Sequence, residues 1–241
     1  MTKDAKRVVF TMGGKGGVGK TGFMVVLAEW FQQNQITYSL LDLDTENKVR
    51  GSLKHYFSGS AEKVQIHTPA GLDVFVDKIE GGAPIILADM GAGAGQVASD
   101  WFDAMYEDVA AAGVLFTAVG VLTPDPASVE SVLSWANRLQ DRVDYVVVRN
   151  ATSPQPDFSY WELSEQAIQF REAFSPAVIQ MEFRLAELEN PARQHGVSLG
   201  QIAVRDTALE ELKRASLVMR AQSYRRKLFA EFDRAKAVFL P

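Results

Sequence analysis

The stretch Gly14-Lys15-Gly16-Gly17-Val18-Gly19-Lys20-Thr21 constrains this chain more than any other, because it follows the pattern Gly, four residues, Gly-Lys-Ser/Thr. Glycines at this spacing let successive backbone N–H groups turn inward around phosphate oxygens, which side chains would otherwise obstruct. Lys20 then faces the β- and γ-phosphates, and the Thr21 hydroxyl is a ligand for Mg²⁺. The flanks agree with this. Arg7-Val8-Val9-Phe10-Thr11 has the composition of a buried strand, and Phe23 to Phe31 has the spacing of an amphipathic helix. A strand, a glycine-rich loop and a helix in that order predict an α/β fold.

Composition sets the outer limits. With 241 residues, 47% of them hydrophobic, the chain suits one domain over residues 1–241 with a full core. Cysteine is absent, which excludes disulfides, Cys-ligated zinc and iron–sulfur clusters. Met1 to Lys6 is polar and leads directly into the first strand, so a cytoplasmic location is expected. The apolar run Val109 to Leu122 is broken by Gly113, Thr117 and Gly120 and is too short to span a bilayer. His55, His67 and His195 lack any metal-like spacing.

Short apolar runs alternate with helical patterns, the signature of a doubly wound, mainly parallel sheet flanked by helices. Strands are expected at Val8–Met12, Thr37–Leu43, Leu72–Val76, Ile85–Ala88, Val114–Leu122, Asp144–Arg149 and Ala177–Met181. Helices are expected at Thr21–Gln33, Ala98–Ala112, Ala127–Arg142, Tyr160–Phe174, Leu185–His195 and Ala208–Ala237. Ligands of such sheets bind beyond the carboxyl ends of the strands. The strand ends therefore deserve closest reading.

Ser39-Leu40-Leu41-Asp42-Leu43-Asp44 ends an apolar strand in two carboxylates on one side of the chain. Near a triphosphate, one suits orienting a water and the other the magnesium shell; both also suit capping the next helix. Ile85-Ile86-Leu87-Ala88-Asp89 delivers a carboxylate from a buried strand, in the manner of a Walker B motif. Asp89-Met90-Gly91-Ala92-Gly93-Ala94-Gly95 then places three glycines in five residues, which suits a phosphate-sensing switch or a plain flexible loop. Thr123-Pro124-Asp125-Pro126-Ala127-Ser128 reads as a strand-to-helix turn, and Asn150 ends another strand. Trp30, Phe23 and Phe31 fall at helical spacing and are expected in the core. Trp101, Phe102 and Tyr106 suit the core or a partner subunit.

A second lysine, Lys15, in Lys-Gly-Gly-Val-Gly-Lys-Thr resembles the deviant Walker A loop of the ParA/MinD family of P-loop ATPases. The resemblance covers residues 7 to 150 and implies an ATPase that forms a homodimer on binding ATP and Mg²⁺. It implies catalytic roles for Lys15, which reaches the partner's nucleotide, for Lys20, and for Asp44, which positions the attacking water. Nucleotide contacts are implied at Gly14, Gly16, Gly17, Val18, Gly19, Lys20, Thr21 and Gly22, with Asn150 at the adenine edge. Metal contacts are implied at Thr21, Asp42 and Asp89. Three departures stand out: Gly22 replaces a second Thr whose hydroxyl faces the α-phosphate, Thr45-Glu46 replaces Pro-Gln, and the glycine-rich run replaces Asp-x-Pro-Pro/Ala-Gly.

Charge is uneven along the chain. Residues 213–241 hold eight Lys/Arg against two Asp/Glu, a local +6 within a net −5, so the remainder carries −11. Leu217, Ala221, Leu228, Phe232 and Phe239 fall near one helical face there, among Arg214, Arg225, Arg226 and Lys236. This face suits closing the core, DNA phosphates, an anionic membrane or a protein partner. The resemblance also implies a separate protein that stimulates hydrolysis. The expected function is a dimerising switch that partitions or positions a plasmid, chromosome or large assembly. Two alternatives stand beside it: a nucleotide-gated adaptor in a secretion, conjugation or surface-synthesis assembly, and an ATP-dependent ligase resembling dethiobiotin synthetase. The ligase would draw a pocket wall from Asp157 to Phe174.

Overall fold

Strand and helix alternate along the chain as β1 (Lys6–Met12), α1 (Lys20–Gln33), β2 (Tyr38–Asp42), α2 (Leu53–Tyr56), β3 (Ala61–Lys63), α3 (Pro69–Gly81) and β4 (Ile85–Asp89). The second half continues with α4 (Gly95–Ala111), β5 (Val114–Leu122), α5 (Pro126–Leu139), β6 (Asp144–Asn150), α6 (Ser159–Leu163) and α7 (Glu165–Phe174). It closes with β7 (Ala177–Met181), α8 (Ala186–His195), α9 (Leu199–Ala203) and α10 (Ala215–Ala235). This computed structural model describes residues 5–44, 51–66, 68–92 and 95–241; Thr45, Glu46, His67, Gly93 and Ala94 lie outside the described residues.

The strands form one parallel sheet in the order β3-β2-β4-β1-β5-β6-β7. The central strands β4, β1, β5 and β6 are buried on both faces, which accounts for their near-continuous apolar runs. On one face, Val9, Leu87, Val119 and Val146 pack under α1, α8, α9 and α10. On the other, Val8, Phe10, Ile86, Phe116 and Val147 pack under α3, α4, α5 and α7. Phe23, Trp30 and Phe31 are in the core as expected. Phe102 is buried against Phe10 and Phe116, with Trp101 and Tyr106 partly buried around it.

One expected strand is a helix. Leu72–Val76 lies inside α3, and the third strand is instead Ala61–Lys63 at the sheet edge. Thr68 caps α3 by accepting a hydrogen bond from the Gly71 N–H at 3.1 Å, and Pro69 stands at the first helical position. Phe75 and Ile79, four residues apart, are buried while Val74 is exposed, so the apolar repeat is helical. Ala-Glu-Lys has no apolar alternation by which an edge strand can be seen. The expected helix over 160–174 is also two helices, separated at Ser164.

The C-terminal helix closes the core. Leu217, Ala221, Leu228, Phe232 and Phe239 are all buried, with Phe232 edge-on to Phe23 at 5.5 Å between ring centres. The apolar face is therefore turned into the core, while Arg214, Arg220, Arg226 and Lys236 remain exposed. No described helix is long and apolar enough to cross a membrane. The buried Glu29 of α1 accepts from Arg225 Nε at 2.8 Å and from the Gly200 N–H at 2.6 Å, tying α1 to α9 and α10.

Removing the arginine strands a buried carboxylate, which costs more than the pair itself contributes. Arg225→Met is expected to lower the unfolding free energy by about 3 kcal/mol in urea melts. Adding Glu29→Gln to it should recover part of that loss.

Candidate functional site

The connections leaving β1 and β4 diverge: α1 covers one face of the sheet and α4 the other. These neighbouring strands, paired with Phe10 opposite Ala88, open a crevice at their carboxyl ends, where the sheet order reverses. The glycine-rich loop fills its rim. Gly19 precedes α1 with φ of 104°, and a Cβ there would stand 2.5 Å from Asn150 Nδ2, so only glycine fits. Asn150 donates from Nδ2 to the Val18 carbonyl at 2.8 Å and is buried beneath the loop. Asn150 thus supports the loop from below; it is not among the residues that line the cavity above. Ser131 of α5 steadies the other limb, its Oγ accepting from the N–H groups of Gly14 at 2.6 Å and Lys15 at 3.3 Å.

The first turn of α1 brings the chemical groups together. Lys20 is buried and donates from Nζ to the carbonyls of Gly13 at 3.1 Å and Lys15 at 3.0 Å, so its ammonium sits inside the curl of the loop. Thr21 Oγ1 donates to Asp89 Oδ2 at 2.6 Å across the crevice. Thr11, at the end of β1, donates to Asp89 Oδ1 at 3.2 Å and accepts from the Met90 N–H at 2.8 Å. Thr11 passed unnoticed in the sequence because one threonine inside a strand carries no signal by itself.

Asp42 and Asp44 are both buried but occupied differently. Asp42 lies opposite Asp89 in the sheet register, and its two oxygens accept from the backbone N–H groups of Asp44 at 3.1 Å and Lys54 at 3.0 Å. It braces β2 against α2 through these two bonds, beside Asp89. Asp44 does line the cavity, and the backbone after β4 crosses it closely. A Cβ on Gly91 would meet Asp44 Oδ1 at 2.4 Å, which explains a glycine at the second position after Asp89.

The cavity, about 870 Å³, is lined by the loop and the first turn of α1, by Asp44, Met90 and Gly91, and by Tyr56, Arg184 and Glu189. Residues 157–174, expected as a possible pocket wall, do not line it. The segment after β7 does, and no motif pointed there. Lys15 stands apart on the loop's outer rim, its half-exposed ammonium 3.0 Å from Asp125 Oδ2. Asp125 also caps α5 by accepting from the Ala127 N–H at 3.0 Å. These bonds, the backbone N–H first and Lys15 second, hold its carboxyl below the usual range. Ser128, singled out in the sequence, is buried and bonds Thr123 and Asp125, so it shapes the turn.

Burial pushes the Asp89 carboxyl up to about 7. The Thr21 hydrogen bond opposes the rise, Asp42 adds to it, and Thr11 and Lys20 again oppose it. The folded-state value lies above the unfolded one, so the carboxyl's stabilising effect is complete below about pH 4 and is lost as pH rises toward 7. In nucleotide-free protein kept in chelator, Asp89→Asn is therefore expected to raise stability at pH 8 by about 2–4 kcal/mol, with little effect at pH 4. Urea melts across that range check it.

No protein-family model matches this sequence, and no curated protein does. Solved structures are nonetheless similar. The MinD cell division protein of Aquifex aeolicus superposes with a TM-score of 0.54 at 16% identity, over 98% of this chain and 99% of that one. The MinC:MinD complex from the same organism gives 0.53 at 14% identity, over 98% of each chain. A nucleotide-binding protein of Archaeoglobus fulgidus, solved with ADP, gives 0.50 at 17% identity over 79% of this chain and 86% of that one. The seven-stranded parallel sheet flanked by helices thus has the fold of the MinD-type P-loop NTPases.

Proposed function

We propose that this chain is a magnesium-dependent ATPase that closes into a homodimer on binding ATP and reopens after slow hydrolysis. The observation that carries this reading is the division of labour between the loop's two lysines: Lys20 is buried within the curl, and Lys15 stands half-exposed on its rim. Lys20 serves the chain's own phosphates. Lys15 would serve the nucleotide of a facing subunit.

The residues present suit a triphosphate and its cation. The Lys20 ammonium, held by two loop carbonyls, marks where negative charge belongs. Thr21 and Asp89 would hold the magnesium ion, completed by phosphate oxygens. Such an ion neutralises charge developing on the β- and γ-oxygens. Asp44, buried beside Gly91, would orient a water toward the γ-phosphorus. As the new P–O bond forms, the bond to the β–γ bridging oxygen breaks; ADP and phosphate leave, and the water's proton passes to a phosphate oxygen. Gly91 places the backbone after β4 against Asp44, so a change at the phosphate end would be felt in that segment.

The surface held by the dimer follows from α10. Its apolar residues other than Met219 are largely spent on the core, whereas Arg214, Arg220, Arg226 and Lys236 stay in solvent. That pattern favours duplex phosphates over a bilayer, and with them a role in partition or positioning. A separate protein that accelerates hydrolysis belongs to the same reading.

Phosphate release and nucleotide binding test it together. Lys20→Ala is expected to lose nucleotide binding. Asp44→Ala should bind Mg-ATP but turn over about 10²-fold more slowly. Lys15→Ala should keep binding while losing turnover by a comparable factor. Turnover unchanged in Lys15→Ala would overturn the two-lysine reading. Asp125→Asn, which keeps the helix cap but releases Lys15 from an exposed ion pair, should change turnover by less than about fivefold.

A further inference from the structure

We propose that Arg184 is a nucleotide-binding residue of this chain, one that reaches the α-phosphate across the space left by Gly22. The proposal rests on the nucleotide reading above. Thr21 donates to Asp89, and Lys20 and Thr21 suit the β- and γ-phosphates. The same cavity is lined by Gly22 of the first turn of α1 and by Arg184 and Glu189 beyond β7, which leaves the α-phosphate and the nucleoside to pass over Gly22 toward Arg184.

At that side the first turn of α1 has no side chain. A Cβ built on Gly22 would meet Arg184 Nη2 at 3.8 Å, so the guanidinium borders the space that a larger residue would fill. The group is held from two elements. Glu189 of α8 accepts from Nη2 at 3.0 Å and from Nε at 3.4 Å, and Tyr224 of α10 accepts from Nη1 at 2.9 Å. The Tyr224 ring also lies 5.1 Å from the guanidinium carbon. A guanidinium carries five N–H donors, and these contacts use three. One donor remains on each terminal nitrogen, on a side chain that lines the cavity and is fixed before any ligand arrives.

Two other cations line the cavity: Arg193, exposed on the last turn of α8, and Lys20, turned into the loop. An arginine held by one carboxylate and one phenol is more than a tie between α8 and α10 if its free edge meets an anion. Arginine is suited to phosphate oxygens, which it binds through a pair of parallel donors.

The test compares ADP, ATP and the two diastereomers of ADP bearing sulfur on the α-phosphate, all with Mg²⁺, by calorimetry. In Arg184→Met, ADP and ATP should weaken equally, by about 10- to 100-fold, because both carry the α-phosphate. The wild type should prefer one α-thio diastereomer, and Arg184→Met should bind the two alike. Adding Gly22→Thr to Arg184→Met should restore at least about threefold in ADP affinity by supplying a hydroxyl donor. If Arg184→Met does not fold, Arg184→Lys keeps the charge beside Glu189 and should still lose the diastereomer preference. A folded variant with wild-type ADP affinity and an unchanged preference would overturn the proposal and leave Arg184 a purely structural tie. Lys20→Ala, run alongside, separates the two levels. ADP binding lost there but kept in Arg184→Met defeats only this proposal, and no binding by the wild type defeats the nucleotide reading and the proposal together.

Discussion

One hydrogen bond, from Thr21 to Asp89 at 2.6 Å, organises the carboxyl edge of this sheet. It joins the first turn of a helix on one face to the end of a strand whose own connection leaves for the other face. The β1–β4 ladder sets the spacing of the two strands, and this link adds the start of α1 to it. Thr11 completes the clasp from β1, and Asp42 lies beside it in register. A carboxylate buried so completely is costly when charged. The cost is tolerable where a divalent cation is to arrive, because a cation takes the place of the proton. The strain on Asp89 and the proposed metal role are therefore one fact seen in two states.

The same economy governs the loop around it. Lys20 saturates carbonyls that would otherwise face one another, and Asn150 and Ser131 hold the loop from beneath and beside. None of these three contacts needs a ligand to form. The loop is thus shaped in advance, which reduces the ordering cost of binding. Arg184 is prepared in the same way by Glu189 and Tyr224, and it draws α10 into the site. The C-terminal helix then has two duties. It seals the core with Phe232 and Leu228, and it carries the phenol that fixes a cavity-lining cation.

Much of this was legible in the residues. The strand–loop–helix order, the sheet class and the roles open to Lys20, Thr21 and Asp89 follow from glycine spacing and from apolar runs ending in carboxylates. What escaped did so for identifiable reasons. Leu72–Val76 looked like a strand because five residues cannot distinguish a period of two from one of 3.6, and the Thr68 cap decided it. Asn150 and Asp42 end strands as expected, but the backbone groups their side chains hold, the Val18 carbonyl for Asn150 and the Asp44 and Lys54 N–H groups for Asp42, leave no mark in the strand pattern. Arg184 bears no local pattern at all. Its importance comes from what faces it, a glycine 162 positions earlier where the resembling family carries a hydroxyl.

The central claim is that nucleotide state sets the number of subunits through Lys15. Light scattering of Asp44→Ala, with Mg-ATP and then with Mg-ADP, tests it most directly, since slow turnover keeps the triphosphate intact. The account predicts twice the monomer mass with Mg-ATP and the monomer mass, 26.6 kDa, with Mg-ADP. A monomer in both, with nucleotide shown to be bound, would contradict it.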